Sequence, residues 1–295
     1  MNIQQALHNS QISPLDAELL LSFVLKKPRE YLFTHPEARI SAAQLKKLRK
    51  LIRRRKKGEP IAYLVGNKEF FGLDFFVNKN VLIPRPETEL LIEKALDKIG
   101  NSKESLRQLA ILDVGTGSGN IIISLLRNLP EKKRKSVSFA ALDISKKALS
   151  VARLNARRHN CQDKIIFAKS DLLEFLIKKQ KIIFKRNLHI LANLPYLTFQ
   201  EYKECSPEIR KYEPSIALKS QKRGLGHYKK LLNQVRKIAG LGFPKKITLY
   251  FEISPWQKKY LSYEIKANLG NTQTSCFKDL AGRTRLAIVE IEREN

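Results

Sequence analysis

The sequence predicts an α/β fold in which a mostly parallel, Rossmann-like sheet follows a small helical N-terminal domain and a linking β-hairpin. Helical spacing of apolar residues marks the first sixty residues, and an aromatic, β-branched stretch comes next. From about Pro86 onward, helical segments alternate with short apolar runs. Because such alternation requires crossover connections, it is typical of a parallel sheet covered on both faces. We therefore expect a helical domain over residues 1–59, a hairpin linker over 60–85 and the sheet domain over 86–295.

Signals for the start and the end of helices occur in the N-terminal residues. Ser13 precedes Pro14, which suits a helix start because proline fits the first turn, where its missing N–H is not needed. Ser41 is followed three residues later by Gln44, the spacing of a capping box, and Gly58 provides a stop. The apolar stripe between these two signals consists of Leu45, Leu48 and Ile52.

Two parts of the sequence predict strands. The segment from Ile61 to Glu89 is rich in aromatic and β-branched residues and is broken by Gly66, Gly72 and Asn80, which predicts a hairpin joining the two domains. Short apolar runs farther along predict the strands of the sheet. These runs are Ala110–Val114, Val137–Leu142, Lys164–Ala168, Leu188–Ala192, Ile247–Ile253 and Arg285–Ile291.

Basic residues dominate the charge balance of the chain. There are 56 Lys and Arg against 28 Asp and Glu, and the formal net charge is +28. Such a charge attracts phosphate without regard to sequence, which suits a nucleic-acid or ribonucleoprotein partner. A lysine-rich composition that covers every solvated face explains the charge equally well, and charge patterning does not separate the two. The densest basic block, from Leu45 to Glu59, is open to both interpretations.

The cysteines and the N-terminus argue against several classes of protein. Cys161, Cys205 and Cys276 stand far apart and form no CxxC pair, unlike a disulfide framework or a zinc site. The apolar run from Leu19 to Leu25 is short and flanked by charges, unlike a signal peptide or a membrane span. We therefore expect a cytoplasmic protein with no membrane partner and no bound metal.

A glycine-rich loop follows the first predicted strand of the sheet domain and precedes a predicted helix from Asn120 to Arg127. The loop consists of Gly115, Thr116, Gly117, Ser118 and Gly119. Glycines at a strand-to-helix turn let the backbone bend sharply and approach a ligand closely. The spacing is GxGxG, whereas the dinucleotide fingerprint GxGxxG needs glycine where Asn120 stands. The loop therefore predicts a ligand site but disfavours pyrophosphate.

Acidic residues follow the next two predicted strands. Asp143 is placed to accept hydrogen bonds from both ribose hydroxyls of an adenosine. Asp171 comes one strand later, near the expected adenine edge, and Leu172 can pack on the adenine ring. Either aspartate alone is as easily a helix cap. In series beside a glycine loop, the two predict an adenosine pocket.

The fourth predicted strand ends in a motif suited to methylation of a planar nitrogen: Asn193, Leu194, Pro195 and Tyr196. The lone pair of an amide or aromatic amine is delocalised, so this nitrogen attacks a sulfonium methyl poorly. The Asn193 side-chain oxygen and a nearby backbone carbonyl can accept both N–H bonds, which fixes the nitrogen in line with the S–CH₃ bond. Tyr196 can stack on the planar group. No strong general base is required, because the alkylated nitrogen loses a proton readily.

With these motifs, the chain resembles the release-factor glutamine methyltransferases, a family of the seven-stranded class I methyltransferases. The resemblance covers nearly the whole length, and its most specific part is the IPRPETE string from Ile83 to Glu89. It implies S-adenosylmethionine as cofactor, S-adenosylhomocysteine as product, and a peptide chain release factor as protein substrate. The implied reaction is methylation of the side-chain amide nitrogen (N5) of the glutamine in the Gly-Gly-Gln loop. The resemblance leaves direct binding of nucleic acid possible but does not require it.

The resemblance also implies roles for individual residues. The cofactor would be held by Gly115, Thr116, Gly117, Ser118, Gly119, Asp143, Asp171, Leu172 and Asn193. The glutamine amide would lie on Asn193, Leu194, Pro195 and Tyr196, of which Asn193, Pro195 and Tyr196 are the expected catalytic residues. The family positions that receive no role from the sequence are Glu87, Glu89, Glu252 and Arg283.

Two departures from the family pattern bear on these expectations. Leu194 stands where the family usually has proline. The role assigned to this position uses its backbone carbonyl, which accepts an N–H bond from the substrate amide. Leucine keeps that carbonyl, so we expect activity with a looser loop. The glycine-rich segment after Glu213-Pro214 is altered over residues 219–226, which leaves the details of substrate docking open.

Three alternative functions remain open at this point. The same chemistry could serve a ribosomal-protein glutamine or an exocyclic amine of adenine or guanine in RNA or DNA. A nicotinamide-dependent oxidoreductase explains the glycine loop but leaves Asn193 to Tyr196 without a role. A binding protein that kept the pocket without turnover is suggested by Leu194.

Overall fold

The computed structural model of the protein describes residues 1–101, 109–178, 187–240, 244–270 and 272–292. Its α-helices are α1 (Ile3–His8), α2 (Pro14–Leu25), α3 (Arg29–Thr34), α4 (Ala42–Lys56), α5 (Ile61–Val65), α6 (Glu89–Asn101), α7 (Asn120–Asn128), α8 (Glu131–Arg134), α9 (Lys146–Arg158), α10 (Glu174–Lys178), α11 (Phe199–Glu204), α12 (Pro207–Tyr212), α13 (Gly226–Gly240) and α14 (Gln257–Leu269). Its strands are β1 (Lys68–Phe70), β2 (Leu73–Phe75), β3 (Leu109–Val114), β4 (Ser138–Asp143), β5 (Ile165–Lys169), β6 (Asn187–Ala192), β7 (Lys246–Glu252), β8 (Gln273–Lys278) and β9 (Thr284–Glu292).

The helices α1 to α5 share an apolar core of their own. Ser13 caps α2 and Pro14 occupies its first turn, as predicted. Ser41 and Gln44 form the predicted capping box of α4: the Ser41 Oγ accepts from the Gln44 N–H, and the Gln44 Oε1 accepts from the Ser41 N–H. The core of this helical unit includes Leu20, Leu21, Leu32, Leu48, Leu51 and Leu64. Each of these helices is short, and burial of this shared core is what stabilises them.

The hairpin is shorter than the segment that predicted it. Residues Ile61–Val65 form α5 instead, which begins after Pro60 and ends at Gly66, whose φ of 68° is left-handed. Packing against the N-terminal helices outweighs the β-propensity of these residues, because Ile61, Leu64 and Val65 recur at helical spacing. The hairpin itself pairs β1 with β2 in antiparallel register, with Lys68 opposite Phe75. The domain limits at 59/60 and 85/86 stay a prediction.

The main sheet has seven strands in the order β5-β4-β3-β6-β7-β9-β8, and the predicted seven-stranded, mostly parallel architecture is confirmed. Neighbours from β5 to β7 are parallel, while β9 runs antiparallel to both β7 and β8. The predicted apolar runs correspond to β3, β4, β5, β6, β7 and β9. The strand β8 was not predicted, because it lies at the edge and its residues are only partly buried, so no apolar run marks it.

Helices cover both faces of this sheet. Alternate residues of β3 point to opposite faces: Ala110 and Leu112 join the core beneath α13 and α14, whereas Leu109 and Ile111 join the core beneath α6 and α7. Burial of both faces explains why the central strands read as continuous apolar runs. Two such layers hold the carboxyl ends of the strands rigidly, which is where a site can form.

Polar contacts join the helical unit to the sheet domain. The Arg55 guanidinium binds Asp16 within its own unit and Glu208 on α12, at 2.7 and 2.6 Å. The Tyr212 hydroxyl donates to the Lys57 carbonyl at 3.0 Å. The end of α4 is therefore anchored next to α12. Within the described ranges, no helix combines the length and apolar character needed to cross a membrane.

Candidate active site

A cavity lies at the carboxyl ends of the central strands, where β3 has β4 on one side and β6 on the other. The chain reverses its direction across the sheet at this point, and ligands of open α/β sheets bind at such switch points. The cavity volume is about 160 Å³. Sequence-predicted site residues that line it are Gly115, Thr116, Gly117, Ser118, Asp143, Asp171, Leu172, Asn193, Leu194 and Pro195.

The glycine loop is held against the end of β4. The N–H groups of Gly115 and Thr116 both donate to the Leu142 carbonyl, at 2.8 and 3.0 Å. Gly115 has a φ of 77° and Gly117 a φ of 54°, and both adopt the left-handed region that favours glycine. Gly119 lies behind the loop: a Cβ added there would meet Ala152 of α9 at 3.2 Å. The absence of a side chain at Gly119 lets the loop pack closely against α9. The role of Gly119 in binding the cofactor stays a prediction.

The Asp143 carboxylate closes the loop from the side. Its Oδ2 accepts from the Gly117 N–H at 2.9 Å and its Oδ1 from the Ser145 N–H at 2.8 Å. Burial raises the pKa of Asp143, and the backbone hydrogen bonds oppose that rise. Because each carboxylate oxygen has two lone pairs, the carboxylate can still accept from a ribose hydroxyl.

Asp171 and Leu172 form the far wall of the cavity. The Asp171 carboxylate pairs with Lys230, and its carbonyl accepts from the Gln234 side chain at 3.2 Å. Leu172 adopts a left-handed φ of 54° with only 7% of its surface exposed. The ion pair gives Asp171 a partner on α13, while Leu172 offers the apolar surface predicted for an adenine ring.

Asp113 is a buried acid beneath the loop that the sequence did not single out. Its Oδ2 accepts from the Thr116 hydroxyl at 2.7 Å, while its Oδ1 has no hydrogen-bond partner. Burial raises the pKa of Asp113 to about 7, against the opposing hydrogen bond from Thr116. The signal was available in the sequence, since this acid directly precedes the glycine loop at the end of a strand.

The Asn193 side chain is oriented by a residue from the IPRPETE string. Its Nδ2 donates to the Thr88 Oγ1 at 2.9 Å. Glu252 lies nearby at the end of β7, and burial raises the pKa of its carboxyl to about 7. One N–H of the Asn193 amide is thus used, which leaves its Oδ1 available to accept a hydrogen bond.

The turn after Asn193 packs against buried groups. The Tyr228 hydroxyl donates to the Glu252 carbonyl on the neighbouring strand β7. The Leu194 side chain is 3% exposed, and a Cβ on Gly115 would meet it at 3.1 Å. The expectation of a looser loop at Leu194 stays a prediction.

A second cavity adjoins the first at Asn193, Leu194 and Pro195, which line both. Its walls also include Tyr196 and the buried carboxyl of Glu252. Burial, more than any neighbouring charge, raises the pKa of Tyr196, so its hydroxyl stays protonated. Asn193 therefore stands between a cavity at the glycine loop and a cavity with an aromatic wall.

Residues 80–88 form a strap that walls the first cavity on the side away from the sheet. Glu213, which is 5% exposed, accepts from the Ile83 N–H at 3.1 Å and pairs with Arg85. The strap residues that line the cavity are Asn80, Val81, Leu82, Pro84, Arg85 and Thr88. Three of these residues, Pro84, Arg85 and Thr88, belong to the IPRPETE motif, to which the sequence assigned no role.

The other unassigned family positions lie outside the two cavities. Glu89 accepts from the Phe71 N–H at 3.0 Å and so ties α6 to the hairpin. Arg283 is exposed, and its N–H donates to the Asp279 carboxylate at 2.9 Å in the turn before β9. The structure thus brings Glu252 into the site and leaves Arg283 in a surface turn.

Comparisons with known proteins agree with this arrangement. A family model described as the PrmC N-terminal domain matches residues 2–66, and one described as a methyltransferase domain matches residues 105–211. The release factor glutamine methyltransferase of Dictyoglomus turgidum is 35% identical, over 94% of this chain and 91% of its own. The release factor glutamine methyltransferase of Clostridium botulinum is 36% identical, over 92% of this chain and 90% of its own. The bifunctional methyltransferase of Rickettsia bellii is 37% identical, and this chain spans 42% of its length.

Solved structures with the same fold include the human METTL16 catalytic domain in complex with hairpin 6 of the MAT2A 3'UTR. It superposes with a TM-score of 0.54 at 16% identity, over 86% of this chain and 83% of that one. The same domain in complex with hairpin 1 superposes with a TM-score of 0.54 at 14% identity, over 92% of this chain and 90% of that one. At these identities the likeness shows a shared fold.

The cavity fits S-adenosylmethionine in several respects. Gly115 and Gly117 line the cavity with backbone alone, which lets a ligand approach the loop closely. The carboxylate of Asp143 can accept ribose hydroxyls, and Leu172 offers an apolar face to adenine. The identity with full-length relatives covers both domains. The chain therefore belongs to the release factor glutamine methyltransferase family, and it is a methyltransferase that uses S-adenosylmethionine as its cofactor.

Proposed function

We propose that the enzyme methylates the side-chain amide nitrogen, N5, of the glutamine in the Gly-Gly-Gln loop of peptide chain release factors. The observation that carries the proposal is the position of Asn193, which lines both the cofactor cavity and the adjoining cavity with Tyr196. An amide inserted through the second cavity would meet Asn193 next to the methyl donor. Relatives that match almost the whole chain bear the corresponding name.

The turn from Asn193 to Tyr196 can hold a glutamine amide in the geometry that the reaction needs. The Asn193 Oδ1 and the Leu194 carbonyl accept the two N–H bonds of the amide, and the Tyr196 ring stacks on its plane. When bound, S-adenosylmethionine would supply the methyl group from a sulfonium sulfur, which would leave with the electron pair of its S–CH₃ bond. The nitrogen then releases a proton to solvent, so no buried base is needed.

We propose that the helical unit binds the body of the release factor. The exposed face of α4 carries basic side chains: Lys46, Lys47, Arg49, Lys50 and Arg53. Arg55 is different, because it pairs with Asp16 and Glu208 and holds α4 beside α12. A basic face anchored beside the second cavity suits an acidic surface of the protein substrate.

The test is transfer of label from methyl-labelled S-adenosylmethionine to a purified release factor. We expect label on the wild-type release factor and none when the loop glutamine is replaced by alanine. Absence of label on the wild type, or equal label on the alanine variant, contradicts the proposal.

A second candidate function keeps the chemistry and changes the acceptor to an exocyclic base amine of a nucleic acid. It is favoured by an open groove that meets the cofactor cavity at Asp171 and His227. The basic residues of this groove are Lys178, Lys219, Lys222, Arg223, Lys229, Lys230 and Lys237. Methyl transfer to RNA or DNA that falls steeply with salt, with none to protein, would establish this function instead.

A further inference from the structure

We propose that an exposed aromatic face of α14 is a docking surface for the protein substrate, beside the turn that receives the glutamine. The face consists of Trp256, Tyr260 and Tyr263, which are called the aromatic stripe below. The inference rests on the proposed function, since it takes the release factor as the molecule that brings a glutamine to Asn193. It adds a second contact area to the one proposed on the helical unit.

The aromatic stripe runs along the solvent side of α14. Its three residues stand at positions i, i+4 and i+7, so they lie on one face of the helix. Their exposed fractions are 38%, 38% and 62%. The opposite face of the helix is buried through Gln257, Leu261 and Ile265. Helix α14 therefore has one face that packs into the fold and another, made of large aromatic side chains, that is turned to solvent.

The rings at the start of the stripe are held in place. Trp256 and Tyr260 pack edge to face, with ring centroids 6.2 Å apart. The Trp256 Nε1 donates to the Glu201 carboxylate at 2.8 Å, and the Arg223 guanidinium covers one face of Tyr260 at 5.0 Å from the ring centroid. Single exposed apolar residues are ordinary, whereas adjoining Trp, Tyr and Arg are enriched where proteins bind each other. Rings that are already ordered lose less entropy when a partner binds.

The stripe begins next to the proposed substrate turn. Gln257, which follows Trp256, donates from its Nε2 to the Tyr196 carbonyl at 3.2 Å. Glu201, which binds the indole, lies on α11, and this helix begins two residues after Leu197, a wall of the second cavity. A protein that inserts a loop into this cavity must also cover the surface beside it. The stripe is part of that surface.

The charges around the stripe favour a protein partner with an acidic rim. Lys259 and Lys266 are exposed on the same helix, and Arg223 lies on Tyr260. Nucleic acid fits less well, because bases stack on free ring faces and one face of Tyr260 is covered. The Glu201 carboxylate beside Trp256 would also repel phosphate. An apolar patch bordered by acidic side chains is therefore the partner chemistry that complements the stripe.

The chain offers a direct probe of docking, because Trp256 is its only tryptophan. Labelling the enzyme with 5-fluorotryptophan gives one ¹⁹F NMR signal, whatever tryptophans the partner contains. We expect this signal to shift when a release factor with alanine in place of its loop glutamine is added in the presence of S-adenosylhomocysteine. The reason is that docking replaces water at the indole by protein atoms.

Kinetics of the full enzyme test the rest of the stripe. Tyr260→Ala and Tyr263→Ala should each raise KM for the release factor about tenfold to a hundredfold, as for truncation of an interface hot spot. Because docking contributes equally to the ground state and the transition state, kcat should stay near the wild-type value. Leu154→Ala is the matched control, since Leu154 is 39% exposed on α9, at the other end of the sheet. It should leave KM and kcat unchanged, and all three variants should keep the wild-type unfolding midpoint.

A ¹⁹F signal that stays in place at saturating release factor overturns the inference, as do equal changes of KM in the stripe variants and in Leu154→Ala. A signal that shifts with RNA and not with the release factor also overturns it and assigns the stripe to nucleic acid. Failure of the proposed function looks different. If the wild type places no label on a release factor but the alanine-substituted factor still shifts the signal, the docking surface stands and the methyl acceptor is wrong.

Discussion

At the scale of a single residue, the chemistry depends on the side-chain oxygen of Asn193. Replacing Asn193 by alanine removes the acceptor for the substrate amide, and we expect kcat to fall by about 10²–10³-fold, as for loss of one preorganised hydrogen-bonding group. The affinity for S-adenosylhomocysteine should change little, because Gly115, Gly117 and Asp143 are untouched. Steady-state kinetics and calorimetric titration measure the two quantities. Asn128→Ala on α7 is a control, and equal losses of kcat and affinity would contradict the assignment.

Gly224 lies in segment 219–226, which departs from the family pattern, and it packs closely against the turn from Asn193 to Tyr196. Its φ is 73°, and a Cβ there would lie 2.1 Å from the Tyr196 carbonyl oxygen. We expect Gly224→Ala to destabilise the fold by about 1–3 kcal/mol more than backbone strain alone, because the carbonyl must move. Gly72→Ala isolates the strain, since Gly72 has a φ of 71° and nothing within 4 Å of the added Cβ. Equal denaturation midpoints for the two variants would show that the close contact is not real.

Residue identities at the site could be predicted only where they lie in one contiguous motif. The loop from Gly115 to Gly119 and the corner at Asn193 are local patterns, and the structure brings most of their residues to one cavity. Thr88 could not be given a role, because its contact with Asn193 depends on where the strap lies relative to the end of β6. No local spacing encodes such a contact.

At the scale of elements, the strap over residues 80–88 forms one wall of the cofactor cavity. Glu213 holds it through the Ile83 N–H and the Arg85 guanidinium. We expect Glu213→Gln to weaken binding of S-adenosylhomocysteine about tenfold, since a charge-assisted bond becomes a neutral one. Calorimetric titration measures this loss, and proteolysis within the strap should become faster. Glu208→Gln, which disturbs only the pair with Arg55, is the matched control; an equal loss of affinity in both variants would contradict the role of the strap.

The two elements that the sequence missed have different physical causes. In α5, β-branched residues suggested a strand, but packing of Ile61 and Leu64 against the helical unit selected a helix. In β8, an edge position left the residues half-exposed, so the pattern that marked the buried strands was absent. The strands that could be predicted are those buried on both faces. Edge strands and short helices depend on neighbours that only the folded chain supplies.

At the scale of the whole molecule, two buried acids make stability depend on pH. Burial raises the pKa of both Asp113 and Glu252 to about 7, whereas in the unfolded chain both carboxyls titrate near 4. Between these values the two acids bind more protons in the folded state, so their contribution to the free energy of unfolding falls as the pH rises from about 4 to 7. Burial lowers the pKa of His189 to about 3, so this imidazole contributes the opposite slope below about pH 6.5. The contribution of Glu252 corresponds to roughly 3 kcal/mol at most.

Chemical denaturation across this pH range measures the effect. We expect a shallower decline in Glu252→Gln, because glutamine does not titrate, with the remaining slope coming from Asp113. A difference in unfolding free energy between the wild type and Glu252→Gln that does not change between pH 5 and 8 would contradict the burial of this acid.

The central claim is that Asn193 holds a glutamine amide against a methyl donor bound over the glycine loop. A crystal structure with S-adenosylhomocysteine and a peptide containing Gly-Gly-Gln tests it most directly. We expect the cofactor on Gly115, Gly117 and Asp143, and the glutamine nitrogen about 3 Å from the Asn193 Oδ1, within hydrogen-bond reach. A glutamine bound away from Asn193, or a cofactor outside the cavity at the ends of β3 and β4, would contradict the account.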